Sequence, residues 1–274
     1  MTAAQTLAAA KTLTAAPILA ATPAPVATAG APAPAGYQIA IATSPDEIRA
    51  AQRLRHEVFA SEFGAQLTAA EPGLDVDGFD PICDHLIVRD NRTAEVVGTY
   101  RMLPPHRAAG TLYADGEFDL TCLAPLRDVL VETGRSCVHP DHRGGAVINL
   151  MWTGIARYLH LHGYRWLVGC ASVSLADGGA NADAVWQVVR DNHLAPPRLR
   201  VAPRRPYPCR PVDRDDRTRL RSAVPPLLRG YLRLGAWVCG APAHDPAFNV
   251  ADFLVLLSLD RVDPRYLSHF LGAA

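Results

Sequence analysis

The chain has 274 residues, enough for one large core or two modest ones, and its 27 basic side chains balance 27 acidic ones. This balance gives no reason to expect a nucleic-acid partner, and Lys11 is the only lysine among the cations. The six cysteines (Cys83, Cys122, Cys137, Cys170, Cys209 and Cys239) stand singly, which argues against a disulfide framework or a zinc site and for a reduced, cytoplasmic chain.

Residues 1–36 are rich in Ala, Pro and Thr and carry a single charge. Pro17 and Pro23 interrupt the apolar stretch, so the segment reads as a disordered tail rather than an export signal. No apolar run approaches the roughly 18 residues needed to cross a bilayer. YQIAIAT alternates as a strand does. SPDE then places Ser44 as N-cap, Pro45 at N1 and Glu47 at N3, opening a helix to about Phe63 with Ile48, Ala51, Leu54 and Val58 on one stripe.

An acidic loop, EPGLDVDGFDPICD, leads to HLIVRD and EVVGTYRML, a predicted hairpin around Asn91-Arg92. VLVETGRSCV is a further strand. The next helix is expected over 146–162, with Val147, Met151, Ile155 and Tyr158 or Leu159 on one face and Gly163 as its stop. RWLVGCASVS follows as an apolar strand, and NADAVWQVVRDNH as a helix. This order predicts an α/β sandwich around one mixed sheet. Residues 196–221 break the rhythm with nine arginines, three aspartates and six prolines. PPLLRGYLRLGAWV and ADFLVLLSL then extend the sheet with a helix and strands.

Glu132 and Arg135 are three apart and would face opposite ways on a regular strand. A β-bulge at Gly134 would bring both to one side and free backbone N–H groups that polarise a carbonyl. A structural ion pair is the simpler alternative. His85 and Asp90 have a spacing similar to the H-x4-D block of glycerolipid acyltransferases, but no second block supports that reading. His139 and His142 have no third ligand nearby, so no metal is expected.

The turn HPDHRGG, between strand and helix, resembles the loop on which the GCN5-related (GNAT) acetyltransferase superfamily cradles a pyrophosphate. Val138, Pro140, Arg143 and Gly144 match that pattern, whereas Ala146 and Ile148 stand where later glycines belong. The departure suits a carrier that presents only a phosphopantetheine arm, held by Val138, Arg143, Gly144, Gly145 and Ala146. The ordered set Arg55, Phe59, Asp77, Asp80, Arg101, Glu132 and Arg135 resembles the charged set of acyl-homoserine-lactone synthases. Ala65 lies about where a tryptophan is expected, and Asp75 stands in place of a glutamate.

The most extensive resemblance is to ornithine N-acyltransferases and related N-acyl amino acid synthases. It is carried over about 37–270 by RHEVFASEFGA, DGFDPICDHLIV, VVGTYRML, EFDL, ETGRSCV, HRGGAVINLMWTGIARYL and the distal PPLLRGYLRLGAWVCGAPAHDPAFNVADFLVLL. It implies a GNAT-like α/β/α sandwich around one mixed, mostly antiparallel sheet, as a single domain over 37–274 with an insertion at 196–221. It further implies transfer of a fatty acyl group, often 3-hydroxylated, from acyl carrier protein to the α-amine of ornithine or a similar amino acid. Glu132 is then the first candidate base, with Asp80, Asp84 and His85 behind it. Arg135 positions carboxylates, and Arg55, Phe59, Asp77 and Arg101 bind substrate. Trp186 occupies the helix where many GNAT enzymes carry an acidic tyrosine, so no general acid is assigned.

The acyl-carrier thioester is expected as co-substrate, with no bound cofactor. The basic segment, Arg204 and Arg205 included, is read as docking the acidic carrier or an anionic membrane face. A second, O-linked acyl chain would need a separate O-acyltransferase. The alternatives are a lactone-type signal synthase or acetyl-CoA-dependent acetyltransferase on the same fold, and a non-catalytic module that binds carrier or lipid.

Overall fold

The computed structural model describes residues 36–63, 71–213, 220 and 222–271. The expected tail up to residue 35, the Ala65 position and residues 214–219 and 221 of the basic segment lie outside the described residues. The first elements are β1 (Tyr37–Ile41), α1 (Pro45–Phe63), β2 (Asp84–Asp90) and β3 (Val96–Leu103). They are followed by β4 (Phe118–Asp119), β5 (Leu130–Val138), α2 (Ala146–His162), β6 (Trp166–Ser174), α3 (Ala180–Asn192) and β7 (Ala202–Pro203). The chain continues through α4 (Pro226–Arg233), β8 (Trp237–Val238), β9 (Ala243–Asp245), β10 (Val250–Ser258) and α5 (Pro264–Leu271).

The anticipated ends are made by the residues that signalled them. Ser44 N–H donates to Glu47 Oε2 at 3.1 Å and Glu47 N–H to Ser44 Oγ at 3.3 Å, closing the capping box of α1. Gly163 takes φ 70° and ends α2, a conformation glycine reaches without a Cβ clash.

The main sheet runs β1-β2-β3-β5-β6-β10-β8, with β9 paired to β10. Every pair is antiparallel except β5 with β6. Alternation along the strands divides the core between two faces. Met102, Val131, Leu167, Phe253 and Val255 belong to the back cluster, where α2, α3, α4 and α5 pack. Leu103, Leu130, Val168, Leu254 and Leu256 belong to the front cluster, under the loops that connect β3 to β5. α1 covers the same front side through Leu54, Val58 and Phe59 against Cys137.

Two irregularities of β5 make the site. The parallel pairing with β6 covers only Leu130↔Trp166, Val131↔Leu167 and Glu132↔Val168, after which the strands part. Gly169 sits at the parting point: a Cβ there would lie 2.2 Å from the Thr133 carbonyl oxygen. On the other edge, Thr99 pairs with Cys137 but Arg101 pairs with Gly134, so β5 holds one extra residue. The bulge expected at Gly134 is therefore present, and its left-handed residue is Arg135, at φ 52°. The bulge reverses the strand's parity. Cys137 then packs under α1 while Val138 joins the back core.

The basic segment, up to residue 213, is strapped to this body. β7 pairs with β4, Val201 N–H donates to the Cys239 carbonyl at 2.7 Å, and Tyr207 N–H to Pro242 at 3.0 Å.

Candidate active site

Three arginines and three aspartates form a closed ring of alternating charge on the front face. Arg55 pairs with Asp80 at 2.8 Å, Asp80 with Arg101 at 3.4 Å and Arg101 with Asp77 at 2.6 Å. Asp77 pairs with Arg135 at 3.1 Å, Arg135 with Asp75 at 3.2 Å and Asp75 with Arg55 at 2.8 Å. The ring ties α1, the loop 75–80, β3 and the bulge of β5 together. The bulge matters here because it turns Arg135 to the front. Burial pushes the Asp77 carboxyl up, but Arg101 and Arg135 outweigh it and hold its pKa below the usual value.

Beside the ring, in the gap between β5 and β6, lies a cavity of about 170 Å³. Arg101, Glu132 and Arg135 border it, as do Glu117, Asp245 and Asp252. Arg135 lies between two aromatic rings, 5.1 Å from the centroids of both Tyr113 and Phe248, and Arg101 lies 5.9 Å from that of Phe79.

Glu132 is buried, and both its oxygens accept backbone N–H groups, from Tyr113 at 2.6 Å and Ala114 at 2.8 Å. Burial raises its pKa to about 7; the two amides and Arg101 pull the other way. Each oxygen keeps further acceptor capacity, so a bound proton donor can still be met. Burial pushes the Cys83 thiol up to about 12 and that of Cys170 well above its ordinary value, so neither is a thiolate nucleophile at neutral pH.

Among the lining residues, Glu117, Asp245 and Asp252 bring carboxylate oxygens within 4.8 Å of one another. Ser172 Oγ donates to Asp252 Oδ1 at 2.5 Å. Burial raises the pKa values of both Glu117 and Asp252; repulsion by Asp252 adds to it at Glu117 and repulsion by Asp245 at Asp252, where the Ser172 and Glu117 hydrogen bonds pull the other way. Oxygens so grouped favour any cation, an ammonium or a hard metal ion alike.

The remaining sequence-predicted residues are placed as follows. Phe59 borders the cavity. Arg55 does not: it is 0 % exposed and spent on Asp75 and Asp80. Asp77 and Asp80 also stand behind the wall, as ring members. Asp84 turns away from the cavity, accepting from the Tyr158 hydroxyl at 2.7 Å and pairing with Arg107. His85 is buried off the cavity with Nε2–H donating to the Asp80 carbonyl at 3.1 Å, and burial lowers its pKa, which keeps it neutral. As bases, Asp80, Asp84 and His85 lack access to the gap, which leaves Glu132 of the predicted acid–base set.

The turn after β5 is closed by Arg143, whose Nε and NH2 donate to the Val138 carbonyl at 3.1 and 3.0 Å. Gly145, at φ 94°, caps α2, and Cβ atoms on Gly144 or Gly145 would meet nothing within 4 Å. The first N–H groups of a helix have no intrahelical acceptor, so Ala146 and its neighbours present donors and the positive end of the helix dipole at this turn.

Residues 54–153 match the acetyltransferase (GNAT) domain family. An L-ornithine N(alpha)-acyltransferase of Rhodobacter capsulatus is 39 % identical over 245 residues, 85 % of this chain and 94 % of that protein. The chain belongs to the L-ornithine N(alpha)-acyltransferase family. The relative from Brucella abortus, of the same name, is 34 % identical over 85 % of this chain and 88 % of its own. Among solved structures, the CoA-dependent acyl-homoserine lactone synthase BjaI superposes with a TM-score of 0.52 at 16 % identity, covering 86 % of this chain and 88 % of its own. FeeM, an N-acyl amino acid synthase from uncultured soil microbes, superposes at 0.50 and 13 %, covering 82 % and 91 %. These two superpositions speak to the fold.

In this N-acyltransferase the sequence reading passed over Glu117, Asp245, Asp252, Ser172 and the aromatic lining. A signal was there. Glu117 opens the EFDL block, and Asp245 and Asp252 fall in the distal HDPAFNVADF stretch, both parts of the family resemblance. Spacing alone offered no reason to unite positions over a hundred residues apart.

Proposed function

We propose that this acyltransferase moves a fatty acyl group from the phosphopantetheine thioester of acyl carrier protein to the α-amine of L-ornithine, giving an N-acyl amino acid. The observation that carries this reading is the polarity of the cavity. Its Arg101 and Arg135 suit the acceptor's carboxylate, and its grouped Glu117, Asp245 and Asp252 suit an amine-bearing side chain. Ornithine, the amino acid in the relatives' names, carries one carboxylate and two amines.

The α-ammonium must lose a proton before its lone pair can attack. Glu132, with a pKa near 7 and both oxygens oriented by the 113–114 amides, is suited to take it. The amine nitrogen then bonds to the thioester carbon, and the carbonyl electrons move to oxygen. Backbone groups of β5 and β6 that lose their strand partner beyond Glu132 and Val168 supply donors for that oxyanion. Collapse breaks the carbon–sulfur bond, the nitrogen sheds its second proton to solvent, and the departing thiolate takes one up, leaving an amide and a free thiol. The α2 N-terminus with Gly144 and Gly145 suits the single phosphate of the arm.

The basic segment supports a carrier partner through Arg198 and Arg205, both exposed. Arg204 is less suited: its Nε donates to the Asp115 carbonyl and its N–H to that of Glu117, both at 2.7 Å, so it braces a wall of the cavity. Among the described residues no helix is long and apolar enough to cross a membrane. Peripheral contact through the same basic face fits an amphiphilic product, and a second acyl chain on that product would come from a separate O-acyltransferase.

The test is incubation of purified protein with long-chain acyl carrier protein and ornithine, read by mass spectrometry. N-acylornithine is the expected product. Turnover of acetyl-CoA with none of the carrier thioester would refute the reading.

A further inference from the structure

Glu132 serves the incoming amine, but the outgoing sulfur also needs a proton, and α3, with Trp186, offers no acidic hydroxyl for it. Tyr113 spans the interval where one is needed. Its backbone N–H donates to Glu132 Oε2 at 2.6 Å, and its hydroxyl, at the far end of the ring, is hydrogen-bonded to Arg135. The ring borders the cavity and packs edge-on against Phe79, with 5.8 Å between centroids.

Position along β5 decides what that hydroxyl meets. A phosphopantetheine arm whose phosphate lies at the α2 N-terminus enters the gap from that end. Its sulfur then lies between the turn and the thioester carbon. Glu132 meets the amine at that carbon, and Arg135 stands three residues nearer the turn. The Tyr113 hydroxyl, bonded to Arg135, is therefore on the sulfur's side of the base.

A guanidinium only donates, so the phenol oxygen accepts from Arg135 and its own proton points elsewhere. The other hydroxyls that border the cavity are engaged. Ser172 donates to Asp252, Thr133 donates to the Val168 carbonyl, Tyr100 is bonded to Tyr231, and Ser136 interacts with Tyr100. Glu117 accepts from Cys170 Sγ at 3.5 Å and belongs to the carboxyl group that suits the acceptor's side-chain amine. Burial raises the Tyr113 pKa; Arg135 pulls it down, and Glu117 and Asp245 push it up, so the proton is in place at neutral pH. The same burial disfavours an expelled thiolate, so desolvation does not oppose the transfer, and Arg135 favours it by facing the phenolate.

We propose that Tyr113 is the general acid of the transfer, its O–H proton passing to the departing sulfur as the carbon–sulfur bond breaks. The electron pair of that bond goes to sulfur and an S–H bond forms. The phenolate left beside Arg135 regains its proton from solvent. The proposal rests on the acyl-carrier reading above, because the end from which the arm enters fixes where the sulfur lies.

The experiment compares Tyr113→Phe with wild type on three donors of one acyl length: the carrier thioester, the acyl-pantetheine and the acyl thiophenol ester. N-acylornithine is counted by mass spectrometry. Phenylalanine keeps the ring and the amide on Glu132 and removes only the hydroxyl. Thiophenolate leaves without protonation, whereas an alkyl thiol such as free cysteine has a pKa of about 8.5. The variant is expected to lose about 10²-fold in kcat with the carrier and pantetheine donors, the lower end of what general acids contribute. It should recover most of that loss with the thiophenol ester, and its KM for ornithine should change little. The ratio between donors within one preparation cancels losses of folded enzyme. Unchanged kinetics, equal losses on all three donors, or a raised KM for ornithine with kcat intact would overturn the proposal and leave the hydroxyl as a brace on Arg135. Wild-type turnover of acetyl-CoA with none of the long-chain donors would instead reject the acyl-carrier reading, and the proposal with it.

Discussion

Arg55→Met is a sharp test of the charge ring, because two readings of that arginine diverge. The sequence pattern places Arg55 among substrate-binding residues, whereas the structure gives it no surface and two ion pairs at 2.8 Å. Methionine matches much of the side chain's length but removes one positive charge from a ring of three cations and three anions. Asp75 and Asp80, both buried, would be left sharing Arg135 and Arg101. Breaking a buried pair in this way costs about 3–5 kcal/mol. For a chain of this size that lowers the melting temperature by about 6–20 °C. Differential scanning calorimetry at pH 8 and pH 5 measures it. The deficit should shrink at the lower pH, where an excess buried carboxylate is relieved by taking up a proton. Asp80→Asn in the same chain should recover part of the loss by restoring neutrality. A melting temperature within about 2 °C of wild type, together with a raised KM for ornithine, would refute the structural role and return Arg55 to the substrate.

Three further outcomes are expected. Glu132→Gln should lower kcat by about 10²-fold or more and abolish an acidic limb of the rate profile near pH 7; an unchanged profile would remove Glu132 as the base. Its folded pKa is raised from 4.5, so its contribution to stability is full below 4.5 and is lost as pH rises through about 7, and the Gln variant should lack that loss in pH-dependent urea unfolding. Glu117→Gln with Asp252→Asn should raise KM for ornithine by about tenfold or more while sparing norvaline, which lacks the second amine; equal effects on both acceptors would place these carboxyls elsewhere in the chemistry. Arg198→Ser with Arg205→Ser should reduce kcat/KM for the carrier thioester at low salt, with the difference fading as ionic strength rises, and should not affect a short acyl-pantetheine; an equal loss with the mimic would end the docking role.

Much of the fold was legible in the sequence because its signals are local. Ser44 and Glu47 lie three residues apart and cap the same turn. Gly163 ends a helix because it alone tolerates the required φ without strain. The apolar runs around Val131, Val168 and Leu254 alternate or cluster as strands must. Glu132, Arg135 and Arg101 carried a charge pattern that placed them together before any coordinates.

The tertiary structure decided what local signals cannot carry. A bulge needs one extra residue, and the sequence offered glycine for it. Two of the ring's six ion pairs, to Asp75 and Asp77, are made only when Arg135 turns to the front, and they hold a non-glycine residue at φ 52°. The same network separates residues of one pattern: Arg55 and Asp80 become the frame, while Arg101 and Glu132 border the cavity. Glu117, Asp245 and Asp252 meet because β10 inserts beside β6 and the loop after β3 folds back over them. Their proximity is a property of sheet topology, in which residues far apart in sequence become neighbours. Sequence spacing encodes contacts within a turn or along a strand; the cavity is made where two strands separate.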